Sequence, residues 1–167
     1  MIQVYTGCGK GKTTAALGLA LRALGAGKKV YLAQFIKGRC YSELTALKKF
    51  KKIKVEQFGS GCFIKKSPTK RDLELANKGL MRVKEIIAGR KFDLVILDEI
   101  NIALKLKLLT LKEVICLIKK TPAKVELVLT GRYAPKAILR VADLVSEVRE
   151  VKHYYRKDVK ARRGIEF

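Results

Sequence analysis

The fold is decided by the stretch Thr6-Gly7-Cys8-Gly9-Lys10-Gly11-Lys12-Thr13-Thr14, near the start of the chain. Its glycines allow successive backbone N–H groups to converge on phosphate oxygens, while Lys12 adds a positive charge and the Thr13 hydroxyl can ligate Mg²⁺. The usual pattern for such a loop is G-x-x-x-x-G-K-[ST], and this chain has a threonine at the first glycine position. A glycine-rich turn without a ligand is the alternative. The composition of the stretch favours a phosphate-binding loop.

The segments on either side of this loop agree with that prediction. The apolar run Ile2–Tyr5 before the loop predicts a strand, and Lys12–Ala26 after it has the periodicity of a helix. A strand, a loop and a helix in this order are the context in which such a loop binds phosphate.

Strand-like and helix-like segments alternate along the rest of the chain. Further strands are predicted at Lys29–Phe35, Ile53–Phe58, Leu94–Leu97, Val125–Leu129 and Leu144–Val148. Further helices are predicted at Ser42–Phe50, Thr69–Ala88, Leu111–Lys119 and Pro135–Ala142, with Thr69 and Thr110 as N-caps and Gly89 as a C-terminal stop. Nearly continuous apolar strands are typical of a sheet covered on both faces, so we predict an α/β protein with a mostly parallel central sheet. Two stretches fall outside the alternation, Gly59–Ile64 and Lys152–Phe167.

Length and composition limit the classes of protein to consider. The 167 residues are 49% apolar and 31% charged, without repeats or a Pro- or Ser-rich linker, so we expect one domain over residues 1–167. No apolar run predicts a membrane span and no signal peptide is recognisable, which makes a cytoplasmic location the expectation. Four cysteines without C-x-x-C spacing and one histidine indicate reduced thiols and no zinc site. The net charge of +22 favours an anionic partner, without distinguishing nucleic acid, a membrane surface or a phosphorylated small molecule.

Other polar residues follow predicted strands and are therefore expected at the same edge of the sheet as the loop. Asp98 and Glu99 end an apolar strand; an acid there holds Mg²⁺ in proteins with this type of loop, and a helix-starting acidic pair is the alternative. Arg132 follows another strand and is a candidate contact for phosphate or a substrate amide, with a surface arginine as the alternative. Gln34 and Lys37 stand at the end of the second strand, and Lys37 is a candidate phosphate ligand.

Several segments together form a recognisable pattern. They are Thr6–Thr14, Gln34–Gly38 (Q-F-I-K-G), Leu97–Asn101 (L-D-E-I-N), Thr130–Arg132, Ala142–Glu147, Val151–Tyr154 and Gly164–Glu166. In this combination the chain closely resembles the ATP:corrinoid adenosyltransferases of the CobA/BtuR type, over essentially its whole length. The resemblance implies a three-layer, RecA-like P-loop NTPase fold. It also implies a homodimer that makes adenosylcobalamin or a related adenosylcorrinoid from ATP.

The resemblance further implies the chemistry and the residues of the site. A Co(I) corrinoid attacks the 5′ carbon of ATP and triphosphate leaves; because Co(I) is already a strong nucleophile, no residue is expected to act as acid, base or nucleophile. Mg²⁺ is expected on Thr13 with Asp98 or Glu99. The expected ATP contacts are Thr6, Gly7, Cys8, Gly9, Lys10, Gly11, Lys12, Thr13 and Thr14, while Gln34, Lys37 and Arg132 are expected to contact ATP or the corrinoid. The expected corrinoid contacts are Cys62, Phe63, Ile64 and His153, although a structural or surface role is the alternative for His153.

Three features depart from the family's pattern. Better-known members carry two aromatic residues where this chain has Cys62 and Ile64, so that Phe63 is the aromatic side chain left to pack under the corrin, with a core position as its alternative. Cys8 replaces the usual asparagine of the loop, so a side-chain amide contact with the nucleotide is lost. Several relatives have an amino-terminal helix covering the active site, whereas here the first strand begins at residue 2.

Two other functions are compatible with the sequence. A RecA-like ATPase stimulated by nucleic acid would use the same loop and the basic cluster at residues 48–54, but few aromatic residues are interleaved with those charges for stacking on bases. A corrinoid chaperone that hands the cofactor to another enzyme is the second. We therefore expect ATP and a corrinoid as partners, and neither nucleic acid nor a membrane. The remaining positive charge leaves room for an acidic flavoprotein reductase.

Overall fold

In a computed structural model, which describes residues 1–38, 41–61 and 67–166, six strands form one sheet. The strands are β1 (Ile2–Thr6), β2 (Val30–Lys37), β3 (Ile53–Gly61), β4 (Leu94–Asp98), β5 (Glu126–Thr130) and β6 (Leu144–Glu147). Their order across the sheet is β3-β2-β4-β5-β1-β6, and each pair of neighbours is parallel. The α/β prediction is confirmed, and the sheet is parallel throughout the described strands.

Six α-helices of the described residues cover both faces of this sheet. They are α1 (Lys12–Gly25), α2 (Ser42–Leu47), α3 (Lys70–Ala88), α4 (Ile100–Lys105), α5 (Leu111–Lys120) and α6 (Lys136–Val141). Helices α1 and α2 pack on one face of the sheet, against strand residues such as Leu32 and Ile96. Helices α3 to α6 supply most of the helical side chains on the other face, where they pack against residues such as Phe35 and Leu97. Three layers result, as the resemblance implied. None of the described helices has the length and apolar character needed to cross a bilayer.

Two apolar cores explain why the central strands lack an alternation of polar and apolar residues. Along β2, Val30 and Leu32 belong to the core beneath α1 and α2, whereas Tyr31 and Ala33 belong to the opposite core. Successive side chains of a strand point to opposite faces, and here both faces are buried. The continuous apolar runs in the sequence therefore predicted the sheet correctly.

Side chains cap two of the predicted helices at their N-termini. The Thr69 hydroxyl accepts a hydrogen bond from the Asp72 N–H, and the Asp72 side chain accepts one from the Thr69 N–H, forming a reciprocal capping box at α3. Thr110 and Glu113 form the same arrangement at α5. Gly89 is the C-cap of α3, so the predicted caps and stop are confirmed.

Other local predictions were wrong. Gly59–Gly61 had been expected in a loop outside the alternation, but they form the end of β3, where the Gly38 N–H donates to the Gly61 carbonyl at 2.6 Å. Helix α4 was not predicted, because Glu99 at φ 61° turns the chain directly from β4 into it, without a loop between the two apolar segments. Part of the tail forms a 3₁₀ turn at Tyr154–Lys157. The predicted corrinoid residues Cys62, Phe63 and Ile64 lie outside the described residues.

Candidate functional site

The carboxyl ends of four neighbouring strands bring the predicted polar residues together. Strand β1 leads into the phosphate-binding loop, β2 ends at Lys37, β4 at Asp98 and β5 at Thr130. Because all four strands are parallel, these ends lie at one edge of the sheet. This is the edge where open α/β sheets bind ligands.

Asp98 is the centre of this edge. Its carboxylate is fully buried and accepts hydrogen bonds from the hydroxyls of Thr130 at 2.7 Å and Thr13 at 2.8 Å. The Lys37 ammonium donates to the same carboxylate at 2.8 Å, and the Gln34 amide at 3.3 Å. A buried charge with this many donors is held in one orientation.

Lys12 lies within the phosphate-binding loop. Its ammonium donates to the Gly9 carbonyl at 2.7 Å and is buried, and this burial lowers the pKa of Lys12. Arg132 is exposed, yet near enough for its charge to act on both Lys12 and Glu99, although burial has the larger effect on the pKa of each. The structure therefore brings Lys12, Glu99 and Arg132 to one place. Cys8 is an exposed free thiol of the same loop.

The chain after β6 packs against the phosphate-binding loop. The Gly9 N–H donates to the Val148 carbonyl at 2.8 Å, and the Val148 N–H donates to the Thr6 carbonyl at 2.8 Å. A Cβ atom at Gly7, whose φ is +99°, would lie 2.4 Å from the Val148 oxygen. The backbone of the loop is therefore in direct contact with residue 148, and the Gly9 amide is already paired.

The C-terminal tail reaches the same loop. The Lys10 ammonium donates to the Tyr154 hydroxyl at 2.6 Å and to the Glu166 carboxylate at 2.8 Å. Tyr154 also hydrogen-bonds to Glu166, and Arg162 lies over the Tyr154 ring at 4.9 Å from its centroid. The hydrogen bonds from Lys10, Tyr154 and Arg162 hold the pKa of Glu166 well below its usual range. We call these four residues the tail cluster.

Three predicted ligand residues have internal partners in this structure. Gln34 is fully buried, and its amide oxygen accepts a hydrogen bond from Gln57 at 3.0 Å while its amide nitrogen bonds Asp98. His153 accepts the Tyr155 N–H through Nδ1 at 3.1 Å, and so caps the 3₁₀ turn. Lys37 faces Asp98. Burial lowers the pKa of Lys37, but the Asp98 charge, the hydrogen bond to Asp98 and the nearby glutamate charges together outweigh burial, and the pKa is raised.

The oxygen atoms around Asp98 fit a magnesium ion. The Thr13 hydroxyl donates a hydrogen bond to the Asp98 carboxylate, so two oxygen atoms that can ligate a metal lie side by side. Glu99 follows Asp98 in the chain. Burial and then the neighbouring Asp98 charge raise the pKa of Glu99. Among the described residues there is no group of three His, Cys, Asp or Glu side chains that could hold a metal alone. Any divalent ion would therefore need oxygen ligands from nucleotide or water to complete its shell.

Thr130, Tyr154 and Glu166 contact the predicted site, but no separate role had been predicted for them. Thr130 donates to Asp98, and its hydroxyl accepts the Glu99 N–H at 3.0 Å, so it connects the two acids. A polar residue ending a buried strand was a signal for Thr130. For Glu166 the signal was its place in the segment Gly164–Glu166 of the recognised pattern, which gave it no partner.

Comparisons with known proteins agree on one family. The family model described as ATP:corrinoid adenosyltransferase BtuR/CobO/CobP matches residues 1–167. A corrinoid adenosyltransferase of Pseudomonas aeruginosa is 36% identical over 169 residues, covering 100% of this chain and 83% of the relative. Those of Escherichia coli and Salmonella typhimurium, the latter named corrinoid adenosyltransferase CobA, are each 36% identical over 167 residues, covering 100% of this chain and 85% of the relative.

Proposed function

The chain belongs to the family of ATP:corrinoid adenosyltransferases, and we infer that it transfers the 5′-deoxyadenosyl group of ATP to the Co(I) centre of a corrinoid. The full-length family match carries this conclusion. The assembly of Lys12, Thr13 and Asp98 at the carboxyl edge of the sheet supports it, since ATP needs cationic and hydrogen-bonding groups around its phosphates. Nothing in the described part of the chain favours a nucleic-acid-stimulated ATPase.

The reaction requires placement and charge stabilisation. The electron pair of Co(I) forms the bond to the 5′ carbon, and the bond from that carbon to oxygen breaks, so that triphosphate leaves with its electron pair. Lys12 and amides of the phosphate-binding loop other than that of Gly9 stabilise the charge that develops on triphosphate, and no side chain has to move a proton. When bound at Thr13 and Asp98, Mg²⁺ would offset further negative charge on the leaving group.

Binding of triphosphate changes the partners of two lysines. Lys12 exchanges the Gly9 carbonyl, its partner at 2.7 Å, for a phosphate oxygen. The Lys10 ammonium, which has three N–H donors, turns at least one of them from Glu166 to a phosphate oxygen of the nucleotide. The contact between Lys10 and Glu166 in the tail cluster is thereby weakened as the phosphates enter.

Several finer parts of the proposal rest on the sequence. Cys62, Phe63 and Ile64 would form the apolar floor that excludes a lower ligand from Co(II), and His153 would contact the edge of the corrin. We expect a homodimer in the cytoplasm, with reducing equivalents from a flavoprotein.

The decisive experiment is an anaerobic assay with ATP, Mg²⁺ and chemically reduced cobalamin. We expect the spectrum of the adenosylated corrinoid to appear, with inorganic triphosphate as the second product. Lys12→Ala should lower the rate by about 100-fold or more, by analogy with the loss of one charge-stabilising donor at other active sites. Lys28→Ala, which removes an exposed lysine, should leave the rate unchanged. No adenosylated product from the wild-type protein would refute the function.

A second assay addresses the corrinoid floor. Phe63→Ala should abolish the reaction that starts from Co(II) under a mild reductant, with a much smaller loss when prereduced Co(I) is supplied. Unchanged rates in both assays would show that Phe63 does not belong to the floor, without affecting the assignment of the reaction.

A further inference from the structure

Strand β2 has an irregularity that determines where Lys37 lies. In regular alternation, Gln34 and residue 36 would share the face toward α1, and Lys37 would point into the opposite core. Ile36 instead has φ +70° and lies in the same core as Phe35, while the strand register against β3 shifts between Phe35 and Lys37. Lys37 is thereby transferred to the face of Gln34 and Asp98.

The neighbouring strand is adapted to this irregularity. A Cβ atom at Gly59 would lie 2.0 Å from the Ile36 carbonyl carbon and oxygen, so only glycine permits the approach. A positive φ is unusual for a β-branched residue, and such conformations persist only where the surrounding structure enforces them. Two strands therefore depart from regular geometry, and the result is the position of one ammonium group.

That ammonium lies between the two proposed metal ligands. Lys37 Nζ is 2.8 Å from Asp98 Oδ2 and 3.3 Å from the Thr13 hydroxyl oxygen, and the side chain is 12% exposed. The oxygen atoms that would ligate a divalent cation are the ones that accept hydrogen bonds from the Lys37 ammonium. Two positive ions beside the same oxygen atoms repel each other strongly. Lys37 and a metal ion therefore exclude each other at Asp98 and Thr13.

We propose that Lys37 is the resident cation of this site: its ammonium holds Asp98 and Thr13 in place without a metal, and moves to the triphosphate when the nucleotide enters. The oxygens of Asp98 and Thr13 become free for Mg²⁺ only in that second state. The inference rests on the metal site of the proposed function. It adds that the site takes up a metal with the nucleotide and not before, which makes Lys37 a positioning residue for both.

The test is a titration with Mn²⁺ in the absence of nucleotide and corrinoid, followed by the electron paramagnetic resonance signal of free Mn²⁺. We expect weak binding to the wild-type protein and one site per chain in Lys37→Met, tighter by about tenfold or more, since a unit charge about 4 Å away opposes the ion. Lys51→Met removes an exposed lysine and is the control for the change in net charge. If Lys37→Met does not fold, Lys37→Gln replaces it as the variant that removes the ammonium.

Two further measurements separate this proposal from a structural role of Lys37. The double variant Lys37→Met/Asp98→Asn should lose the Mn²⁺ site gained by Lys37→Met. Binding of ATP without metal, measured by calorimetry, should be weakened in Lys37→Met, so the affinities for metal and for metal-free ATP should change in opposite directions.

Equal Mn²⁺ affinity of the wild-type protein and both Lys37 variants would overturn the proposal, as would retention of the gained site in the double variant. A parallel loss of both affinities would also overturn it. Because no corrinoid is present, each of these outcomes leaves adenosyl transfer standing.

Discussion

The contact between the phosphate-binding loop and residues 148–149 can be measured with alanine substitutions at glycines. Gly7 has a φ of +99° and a Cβ there would lie 2.4 Å from the Val148 oxygen. Gly11 has a φ of +117° with no atom within 4 Å of its would-be Cβ, so it has the conformational requirement without the contact. Gly9 has the contact, at 2.7 Å from the Arg149 oxygen, without a positive φ. The three positions separate backbone strain from steric contact.

The expected losses in the free energy of unfolding follow from these differences. Gly11→Ala should cost about 1–2 kcal/mol for a side chain in the left-handed region. Gly9→Ala should cost about 1–3 kcal/mol for overpacking, with about 1 kcal/mol more if the hydrogen bond to Val148 is broken. Gly7→Ala carries both penalties and should cost about 2–5 kcal/mol. Gly18→Ala, in the open middle of α1, should instead stabilise the protein by about 0.5–1 kcal/mol.

Urea unfolding followed by circular dichroism measures all four variants, and calorimetry gives their affinities for ATP. The difference between Gly7→Ala and Gly11→Ala isolates the contact with Val148. If the two variants agree within about 0.5 kcal/mol, the usual limit of additivity, residue 148 does not pack on the loop and the reasoning fails. Hydrogen exchange at the Val148 amide, which donates to Thr6, should rise in Gly7→Ala and stay low in Gly11→Ala.

Two other predictions concern the tail cluster and the helix caps. Glu166→Gln removes the ion pair with Lys10 and should increase hydrogen exchange in residues 154–166. The wild-type protein should approach the same increase gradually as the pH falls from 4.5, the ordinary carboxyl pKa, toward the lower pKa that Glu166 has in the folded state. The stabilisation from a depressed pKa is complete above the ordinary value and is lost progressively between the two values. Unchanged exchange in both experiments would mean that the tail is held by other contacts. Thr69→Ala and Thr110→Ala should each lower the free energy of unfolding in urea by about 1 kcal/mol, because each removes a helix cap. Thr69→Ser should keep its capping box and most of this stability. If Thr69→Ser loses as much as Thr69→Ala, the hydroxyl does not cap α3.

The sheet could be predicted from the sequence because strands that are buried on both faces consist almost entirely of apolar residues. Strands such as β4 have no polar residue before Asp98, and the phosphate-binding loop has its glycines and lysine within nine residues. Both signals are local, so a single pass along the chain detects them.

The remaining features depend on distant contacts or on departures from regular geometry. The sequence predicts Lys37 at the correct edge of the sheet, but alternation along β2 would put it on the wrong face, because no pattern predicts a positive φ at the β-branched Ile36. Helix α4 lacks a capping side chain, and its apolar residues continue those of β4. Glu166 contacts Lys10 across most of the chain, and no pattern within the tail predicts that contact.

The place of β1 in the sheet has a consequence for the order of folding during synthesis. β1 hydrogen-bonds only to β5 and β6 among the described strands, so Gln3 has to wait for Val128 and Leu144 to be made. At about 5–20 residues per second, roughly 6–25 s pass between the synthesis of β1 and that of β5. β2, β3 and β4 can pair with one another during that time, because they are consecutive in the chain and adjacent in space. The loop that follows β1 is thus translated well before its strand can pair, and its position in the sheet is fixed only after β5 and β6 have been made.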